Sequence, residues 1–228
     1  MNIAVILAAG SGTRMNKESP KQFLLVDDKP LFVLSSLTFN NHPLIDEIIV
    51  VTLKDNIDLV NQYVNEFHLN KVKAVIEGGS TRQKSTLKAL EYLKENGTNK
   101  NDIILIHDAA RPLVNSDIIT RNIEECHKYE AVETAVPVVD TLIESENKEV
   151  SRFLNRDIIY QVQTPQTFRF DVIYDAHKAL INDENTDDAG IVIKNNHPVH
   201  IVLGDRFNFK VTTSDDLELL EAIIEHAR

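Results

Sequence analysis

Cysteine is almost absent from this chain: Cys126 is the only one among 228 residues. A single cysteine cannot form an intrachain disulfide and offers no set of thiolates for a structural zinc ion, so both kinds of cross-link are excluded. The residues around it, from Ile123 to His127, have the pattern of a helix interior. We therefore expect a buried, unreactive thiol and a reducing compartment.

The chain also lacks an excess of positive charge. It has 24 Lys and Arg against 35 Asp and Glu, a formal net charge of -11, which argues against a broad nucleic-acid-binding surface. The apolar run near the N-terminus has no basic start and is too short for a signal peptide, and no run has membrane-spanning length. We expect a cytoplasmic protein with no nucleic-acid or membrane partner, in which a local cluster of cations meets any anionic ligand.

Short β-branched runs alternate with longer amphipathic segments through the first half of the chain. The predicted strands are 3–7, 47–52, 73–77 and 102–106, and the predicted helices are 30–39, 57–67, 81–93 and 117–127. Such nearly continuous apolar strands are typical of a sheet covered on both faces. The alternation predicts an α/β fold with a Rossmann-like, mainly parallel sheet flanked by helices, and the length predicts one domain over 1–228.

Local signals place some element boundaries. Ser80 followed by Gln83 fits a capping box at the start of the third helix, and Asp215 and Asp216 suit the first turn of a last helix after Ser214. Residues 141–145 and 149–154 alternate at period two around a turn at 146–148, which predicts a projecting β-hairpin. A lone hairpin is marginal in water, so we expect this arm, at about 138–160, to pack against a second copy of the chain.

The strongest chemical signal is the glycine-rich segment from Leu7 to Met15, directly after the first strand. Glycines let backbone N–H groups approach a phosphate closely. The segment lacks the Gly-Lys-Ser/Thr of a Walker A loop, and Met15 replaces the third glycine of a dinucleotide-binding fingerprint. Arg14 within it and Lys21 after Pro20 add two cations, which suit a triphosphate.

Taken with Pro20-Lys21-Gln22, this segment resembles the signature of the sugar-nucleotide pyrophosphorylase superfamily. The later motifs resemble one branch of it, the 2-C-methyl-D-erythritol 4-phosphate cytidylyltransferases and the related ribitol-5-phosphate cytidylyltransferases. The motifs follow in one order along nearly the whole chain: Gly78 to Ser85, His107 to Pro112, Asp140-Thr141, Gln163 to Gln166, Thr186 to Asp188 and Asn208 to Thr212. The resemblance implies a nucleotidyltransferase fold of the GT-A-like type and transfer of a cytidylyl group from CTP to a polyol phosphate.

The candidate catalytic cations are Arg14, Lys21 and Lys210, which would stabilise the charge on CTP and on the transition state. The acceptor phosphate is itself a nucleophile, so no general base is required. The resemblance implies a nucleotide site that includes the glycine-rich segment and the start of the third helix. The candidate nucleotide-binding residues are Ala8, Ala9, Gly10, Ser11, Gly12, Thr13, Gly79, Ser80, Arg82, Ser85 and Ala109.

Hydroxyls and cations suit a polyol phosphate. The candidate acceptor-binding residues are Asp108, Arg111, Thr141, Arg156, Thr164 and Thr186. The resemblance implies that Arg156 reaches the active site of a neighbouring subunit. Asp108, at the predicted end of a parallel strand, is also the candidate ligand of Mg²⁺, which needs only one or two carboxylates beside phosphates. His107 is expected to be structural.

Three alternatives stay open. His107 to Pro112, Pro137 to Thr141 and Thr186 to Ala189 favour methylerythritol phosphate as the acceptor. Tyr160 to Phe168 and Gly12 to Met15 fit either acceptor and lean toward ribitol phosphate. A nicotinamide-dependent oxidoreductase is disfavoured by Met15 and by the lack of an acidic ribose ligand after the second strand. A non-catalytic nucleotide-binding regulator would not need Arg14, Lys21 and Lys210 together.

Overall fold

The computed structural model describes residues 1–10, 20–181, 185 and 187–226. Its strands are β1 (Asn2–Leu7), β2 (Leu25–Val26), β3 (Lys29–Pro30), β4 (Glu47–Thr52), β5 (Val72–Glu77), β6 (Ile103–Asp108), β7 (Ala131–Pro137), β8 (Ile143–Glu146), β9 (Glu149–Phe153), β10 (Tyr160–Arg169) and β11 (His200–Leu203). Its α-helices are α1 (Leu31–Asn41), α2 (Ile57–Glu66), α3 (Arg82–Glu95), α4 (Ser116–Tyr129), α5 (Phe170–Ala179), α6 (Asp188–Lys194) and α7 (Ser214–His226).

A seven-stranded sheet in the order β11-β7-β10-β6-β1-β4-β5 forms the centre of the fold. The neighbours β6, β1, β4 and β5 are parallel, as are β11 and β7, while β10 runs antiparallel to both of its neighbours. The prediction of an α/β fold with a mainly parallel sheet is therefore confirmed. The chain reverses its direction of strand addition between β1 and β6, the kind of position where open α/β sheets bind ligands.

Both faces of the sheet are buried, because side chains along a strand alternate between them. On β1, Ala4 and Ile6 join a core on the side that contains Phe32 of α1, while Ile3 and Val5 join a core on the other side with residues of α3 and α5. A smaller cluster, which includes Val211, packs α7 against the start of α1. These layers hold the carboxyl ends of β1 and β6 in fixed positions.

The predicted strands and helices of the first half are all present, with boundaries within a few residues of the expected ones. The last helix begins at Ser214 with Asp215 and Asp216 in its first turn, as predicted. Cys126 lies buried inside α4, as expected. Burial raises the pKa of its thiol to about 12, so little thiolate is present at neutral pH.

The capping-box prediction for Ser80 is wrong. The N-cap of α3 is Thr81, whose Oγ1 accepts a hydrogen bond from the backbone N–H of Lys84 at 3.2 Å. Gln83 turns away from the cap, is buried, and donates from Nε2 to the carbonyl of Leu180 at 3.2 Å. Because either hydroxyl suits an N-cap, the sequence alone did not distinguish Ser80 from Thr81.

The predicted hairpin is present as β8 and β9, an antiparallel pair outside the central sheet. Every residue of both strands is exposed. Within the part of the chain that the structure describes, no helix has both the length and the apolar character needed to cross a bilayer.

Candidate active site at the ends of two parallel strands

A cavity of about 400 Å³ lies at the carboxyl ends of β1 and β6, where the strand order reverses. Its volume is within the range of small-molecule binding sites. It is lined by Leu7, Ala8, Ala9, Gly10, Lys21, Gln22, Leu53, Gly79, Ser80, Thr81, Arg82, Ser85, Asp108, Ala109, Ala110 and Lys210. The structure thus brings together most of the predicted nucleotide-binding residues, the candidate cations Lys21 and Lys210, and Asp108.

The loop before α3 packs tightly against its surroundings, and this explains its two glycines. A Cβ on Gly79 would lie 2.3 Å from the Cβ of Lys84, and a Cβ on Gly78 would lie 2.7 Å from the Cβ of Ala9. The hydroxyl of Ser85 accepts a hydrogen bond from the N–H of Gly79 at 3.0 Å and donates to the carbonyl of Thr81 at 2.9 Å. Ser85 therefore fixes the loop that forms one wall of the cavity.

Asp108 is the last residue of β6, and its carboxylate lies between two cations. Its Oδ1 accepts from Nε of Arg82 at 3.2 Å, and its Oδ2 accepts from Nζ of Lys210 at 2.7 Å. Burial would raise the pKa of Asp108, but Arg82 and Lys210 outweigh this effect and hold the pKa far below its usual value. The carboxylate is ionised, and it positions both cations at the cavity.

Arg82 also reaches deeper into the protein. Its Nη1 donates to Oδ2 of Asp188, at the start of α6, at 2.6 Å. Burial alone would lower the pKa of Arg82, yet Asp188 and Asp108 together raise it. The guanidinium is therefore a permanent cation with two carboxylate partners. The neighbouring Asp187 caps α6 by accepting from the N–H of Gly190 at 2.7 Å, so the two adjacent acids have different roles.

Lys21 enters the cavity from the short helical turn that follows Pro20. Its Nζ donates to the carbonyl of Val211 at 3.1 Å. Because Val211 directly follows Lys210, this bond places Lys21 beside the segment that carries the other candidate cation. The segment is held to the sheet because Val211 donates from its N–H to the carbonyl of Ala110 at 2.8 Å. Gln22 is buried beside Lys21, and its Nε2 has no hydrogen-bond partner among the described residues.

Thr164 and His107 form the floor beneath Asp108. The hydroxyl of Thr164 accepts from the backbone N–H of Asp108 at 3.1 Å and lies 3.0 Å from Nδ1 of His107. The Nε2 of His107 lies 3.1 Å from the carbonyl of Arg111, which can only accept, so the proton is on Nε2 and Nδ1 accepts from Thr164. Burial lowers the pKa of His107 to about 4. His107 is thus a neutral structural residue.

Arg111 is not one of the described residues that line the cavity. Its Nη1 donates to the carbonyl of Asn208 at 2.9 Å and its Nη2 to the carbonyl of Val162 at 3.2 Å. Burial lowers the pKa of its guanidinium from the ordinary value, although Asp108 acts in the opposite direction. Within one chain, Arg111 therefore fastens the segment that carries Lys210 to β10.

Three other predicted acceptor residues do not line the cavity either. Thr164 lies below Asp108, whereas Thr141 and Arg156 are exposed at the base of the hairpin. The Nη1 of Arg156 donates to the carbonyl of Val139 at 2.8 Å. The predicted residues Ser11, Gly12, Thr13, Arg14 and Thr186 lie outside the described residues.

The described residues contain no group of three or more His, Cys, Asp and Glu side chains that could hold a metal ion. Asp108 is the single carboxylate among the residues that line the described cavity, and both of its oxygens already accept from cations. This arrangement fits only a cation that takes most of its ligands from phosphates and water, as Mg²⁺ commonly does.

Several lining residues were not among the predicted site residues: Leu7, Gln22, Leu53, Thr81 and Ala110. Gln22 and Ala110 stand inside motifs that carried predicted residues, so adjacency was an available signal. Leu53 follows β4, and the rule that ligands bind at the carboxyl ends of parallel strands could have found it.

The comparisons with known proteins agree along the whole length of the chain. The sequence model of the family described as IspD, 2-C-methyl-D-erythritol 4-phosphate cytidylyltransferase, matches residues 2–226. A protein of that name from Clostridium botulinum (strain Okra / Type B1) is 37% identical over 227 residues, covering 98% of this chain and 97% of the relative. A ribitol-5-phosphate cytidylyltransferase from Lacticaseibacillus paracasei is 34% identical over 230 residues, covering 98% of both proteins.

A solved structure gives the same result for the fold. The crystal structure of 4-diphosphocytidyl-2C-methyl-D-erythritol synthase from Anaerococcus prevotii superposes with a TM-score of 0.84 at 28% identity, covering 98% of each chain. The similarity therefore includes the central sheet, the helices and the strand ends that form the cavity.

Proposed function

Because this chain belongs to the 2-C-methyl-D-erythritol 4-phosphate cytidylyltransferase family, we propose that it transfers the cytidylyl group of CTP to 2-C-methyl-D-erythritol 4-phosphate and releases pyrophosphate. The observation that carries the proposal is the cavity at the ends of β1 and β6. It gathers Lys21, Arg82 and Lys210 together with Gly79 of the closely packed loop before α3. Three cations in an otherwise acidic chain suit a ligand with several phosphates.

In the proposed reaction, an oxygen of the acceptor phosphate attacks the α-phosphorus of CTP in line with the leaving group. The new bond joins that oxygen to the α-phosphorus, and the bond to the bridging oxygen of the β-phosphate breaks. Pyrophosphate leaves with the electron pair. No proton has to be removed from the nucleophile, so the main task of the protein is to bring anions together and stabilise the developing charge.

Lys21 and Lys210 are the proposed catalytic residues within the described part of the chain, and Arg14 is proposed for the same role. Preorganised cations stabilise a phosphoryl transition state because they require little reorganisation during the reaction. Lys210 is held by its ion pair with Asp108, and Lys21 donates a hydrogen bond to the carbonyl of Val211, the residue after Lys210.

The proposed nucleotide site includes the end of β1 and the loop before α3. Ala8, Ala9, Gly10 and Ala109 line the cavity with little side-chain volume, which allows a nucleotide to lie close to the backbone. Gly79, Ser80, Arg82 and Ser85 are proposed to contact cytosine or the adjacent ribose, and Ser11, Gly12 and Thr13 to contact phosphates.

The acceptor is proposed to bind beside Asp108, with Arg111, Thr141, Arg156, Thr164 and Thr186. In one chain, Thr141 and Arg156 lie at the base of an exposed hairpin and do not line the cavity. We therefore propose a homodimer in which the arm at about 138–160 brings these residues to the partner's cavity. Ile143, Val150 and Phe153 are 47%, 55% and 72% exposed, which supports an apolar contact there.

Asp108 is the residue proposed to hold Mg²⁺, which would take its remaining ligands from phosphates and water. When bound, the ion would neutralise phosphate charge. The role of the protein is then to hold Asp108 ionised and correctly directed, which Arg82, Lys210 and the hydrogen bond from its own N–H to Thr164 do.

Ribitol 5-phosphate is the second candidate acceptor, since a relative with that printed activity is 34% identical along nearly the whole chain. The two acceptors present the same phosphate to the same cations, so the cavity geometry favours neither.

The test is pyrophosphate release from CTP and Mg²⁺ with either acceptor in parallel assays. We expect a higher kcat/KM with methylerythritol phosphate than with ribitol phosphate, because the family model and the more similar of the two relatives carry that acceptor in their names. The reverse preference would establish the second candidate. Absence of release with both acceptors would reject the proposed activity, and a thermal shift with CTP would then show whether the nucleotide still binds.

A further inference from the structure

A continuous series of charged and polar side chains runs from the interior of the protein to the cavity. The Nε2 of His177 on α5 lies 3.0 Å from Oδ1 of Asp188, and Oδ2 of Asp188 accepts from Arg82 at 2.6 Å. Arg82 contacts Asp108, which contacts Lys210. Five side chains from separate elements are therefore linked end to end.

The two inner side chains of this series are less exposed than the three that line the cavity, of which Asp108 is 11% exposed. The side chains of His177 and Asp188 are 0% exposed, whereas those of Arg82 and Lys210 are 23% and 39% exposed. Neither His177 nor Asp188 lines the cavity, so neither can touch a ligand there. The direct contact of this buried pair with a cavity residue is the ion pair between Asp188 and Arg82.

Burying the carboxylate of Asp188 is expensive unless charged partners surround it. It accepts from Arg82 with one oxygen and from His177 with the other, and its own backbone N–H donates to Oε1 of Gln166 at 3.0 Å. Burial would raise its pKa, but Arg82 outweighs burial and the pKa is lowered. Asp188 is therefore a fixed negative charge at the inner end of the series.

The guanidinium of Arg82 is planar and its donors have a rigid geometry. Two carboxylates, one contacted by Nη1 and the other by Nε, define the orientation of that plane. With one carboxylate removed, the group could rotate about the remaining contact. Asp108 would then lose the partner that directs its second oxygen toward Lys210.

We propose that Asp188 and His177 are positioning residues for cytidylyl transfer, which fix the Arg82 guanidinium against Asp108 and thereby hold the Lys210 ammonium at the cavity. The inference rests on the proposed function, because Lys210 is assigned there to the transition state. Its physical basis is preorganisation: a cation held in place before the reaction lowers the barrier, whereas a mobile one must first be ordered.

The test is a double-mutant cycle of Asp188→Asn and Arg82→Gln, with kcat and KM for CTP measured separately. Asp188→Asn should lower kcat by at least about tenfold through Lys210, and KM for CTP should change by a smaller factor, which reports the proposed contact of Arg82 with the nucleotide. In the Arg82→Gln background, Asp188→Asn should cause no further loss, because its route to the cavity is already broken. Two losses that multiply would overturn the proposal.

Asp187→Asn is the matched control. It removes the same charge one position away, and asparagine caps a helix as well as aspartate does, so we expect kcat within about twofold of the wild type. A loss equal to that of Asp188→Asn would show that the start of α6, and not the contact with Arg82, carries the effect.

If Asp188→Asn fails to fold, a pair of His177 variants tests the positioning role instead. The amide nitrogen of glutamine can occupy the position of Nε2, so His177→Gln should keep kcat within about threefold, whereas His177→Leu should lower it by about tenfold. Equal kcat values for the two variants would reject the role of His177.

Crystal structures of Asp188→Asn and Asp187→Asn separate this inference from the proposed reaction. Absence of pyrophosphate release by the wild type would reject the reaction alone. Displacement of Arg82 and Lys210 by more than about 1 Å in Asp188→Asn only would still support the positioning. Unchanged positions of both side chains would overturn it, whatever the activity.

Discussion

The cavity and the hairpin arm differ in whether their side chains find partners within the chain. Around the cavity, cations and carboxylates are paired within the chain, and Arg82, Asp108 and Lys210 form one connected series. On the arm, β8 and β9 are exposed along their whole length and Phe153 is 72% exposed. One chain is therefore sufficient to preorganise the described cavity, whereas the apolar surface of the arm is suited to contact with a second chain.

Replacing Lys210 by Met should cause the largest loss of activity among the changes at the cavity. The variant keeps the length and apolar stem of the side chain but removes the charge paired with Asp108. We expect kcat to fall by about 10²–10³-fold, the usual cost of losing one charge-stabilising contact. The measurement is pyrophosphate release at saturating CTP and acceptor.

The matched control is Lys128→Met, because Lys128 is an exposed lysine on α4 paired with Glu125. Its kcat should stay within about twofold of the wild type, since surface ion pairs contribute little. Near-normal turnover by Lys210→Met would remove Lys210 from the catalytic residues.

The pH dependence of stability tests how deeply the floor of the cavity is buried. Burial lowers the pKa of His107 from 6.5 to about 4, so between these pH values the unfolded chain binds a proton that the folded chain does not. Stability should therefore fall as the pH falls from about 6.5 to about 4, by about 3 kcal/mol from this group. The measurement is the free energy of unfolding in urea for the wild type and His107→Gln. The difference between the two values should shrink as the pH falls through this window.

Glu133 on β7 should act with the opposite sign. Burial raises its pKa from 4.5 to about 7, so the folded chain keeps a proton that the unfolded chain has lost. Its contribution to the free energy of unfolding is therefore present at low pH and is lost as the pH rises from 4.5 to 7. Glu133→Gln lacks this contribution, so its stability should fall more steeply than that of the wild type when the pH is lowered. Equal pH profiles for wild type, His107→Gln and Glu133→Gln would contradict the burial of both groups.

Replacing Phe153 by Asp tests the arm. If the arm packs against a second copy, a carboxylate at this position would be buried without a partner, which is strongly unfavourable. We expect sedimentation to show dissociation, and turnover to fall by roughly tenfold, about 1.4 kcal/mol, because Arg156 would leave the partner's cavity.

Phe207→Asp is the control for the arm variant, since Phe207 is also a largely exposed phenylalanine, at 62%, but lies outside the hairpin. It should sediment like the wild type. A wild type that is already a stable monomer, with full activity, would exclude both the dimer and the proposed role of Arg156.

The smallest effect is expected at Cys126. Its thiol is buried in α4, and its pKa is raised to about 12, so little thiolate is present at neutral pH. Cys126→Ala should leave kcat unchanged, and a thiol reagent should modify the wild type only after denaturation. Rapid modification of the folded protein with loss of activity would show that the thiol is accessible and coupled to the site.

The strands of the first half were predictable because each is a short apolar run of β-branched residues between polar segments. The glycine-rich segment and the motif that begins at His107 identified the strand ends that bear the cavity. The start of α3 was misplaced by one residue, because a capping hydroxyl was present at both Ser80 and Thr81. His177 could not be found from sequence, since a histidine in the last turn of an amphipathic helix has no local feature that distinguishes it.

The sequence by itself determined the α/β class, the order of the elements in the first half, the glycine-rich segment and most residues that line the cavity. These are properties of local pattern and of motifs in a fixed order. The tertiary structure decided which charges meet: Arg82 with Asp188 and Asp108, and Asp108 with Lys210. Arg82 and Asp188 lie 106 residues apart in the chain, Asp108 and Lys210 lie 102 apart, and Arg82 and Asp108 lie 26 apart. Only the packing of the sheet and helices brings them within hydrogen-bond distance.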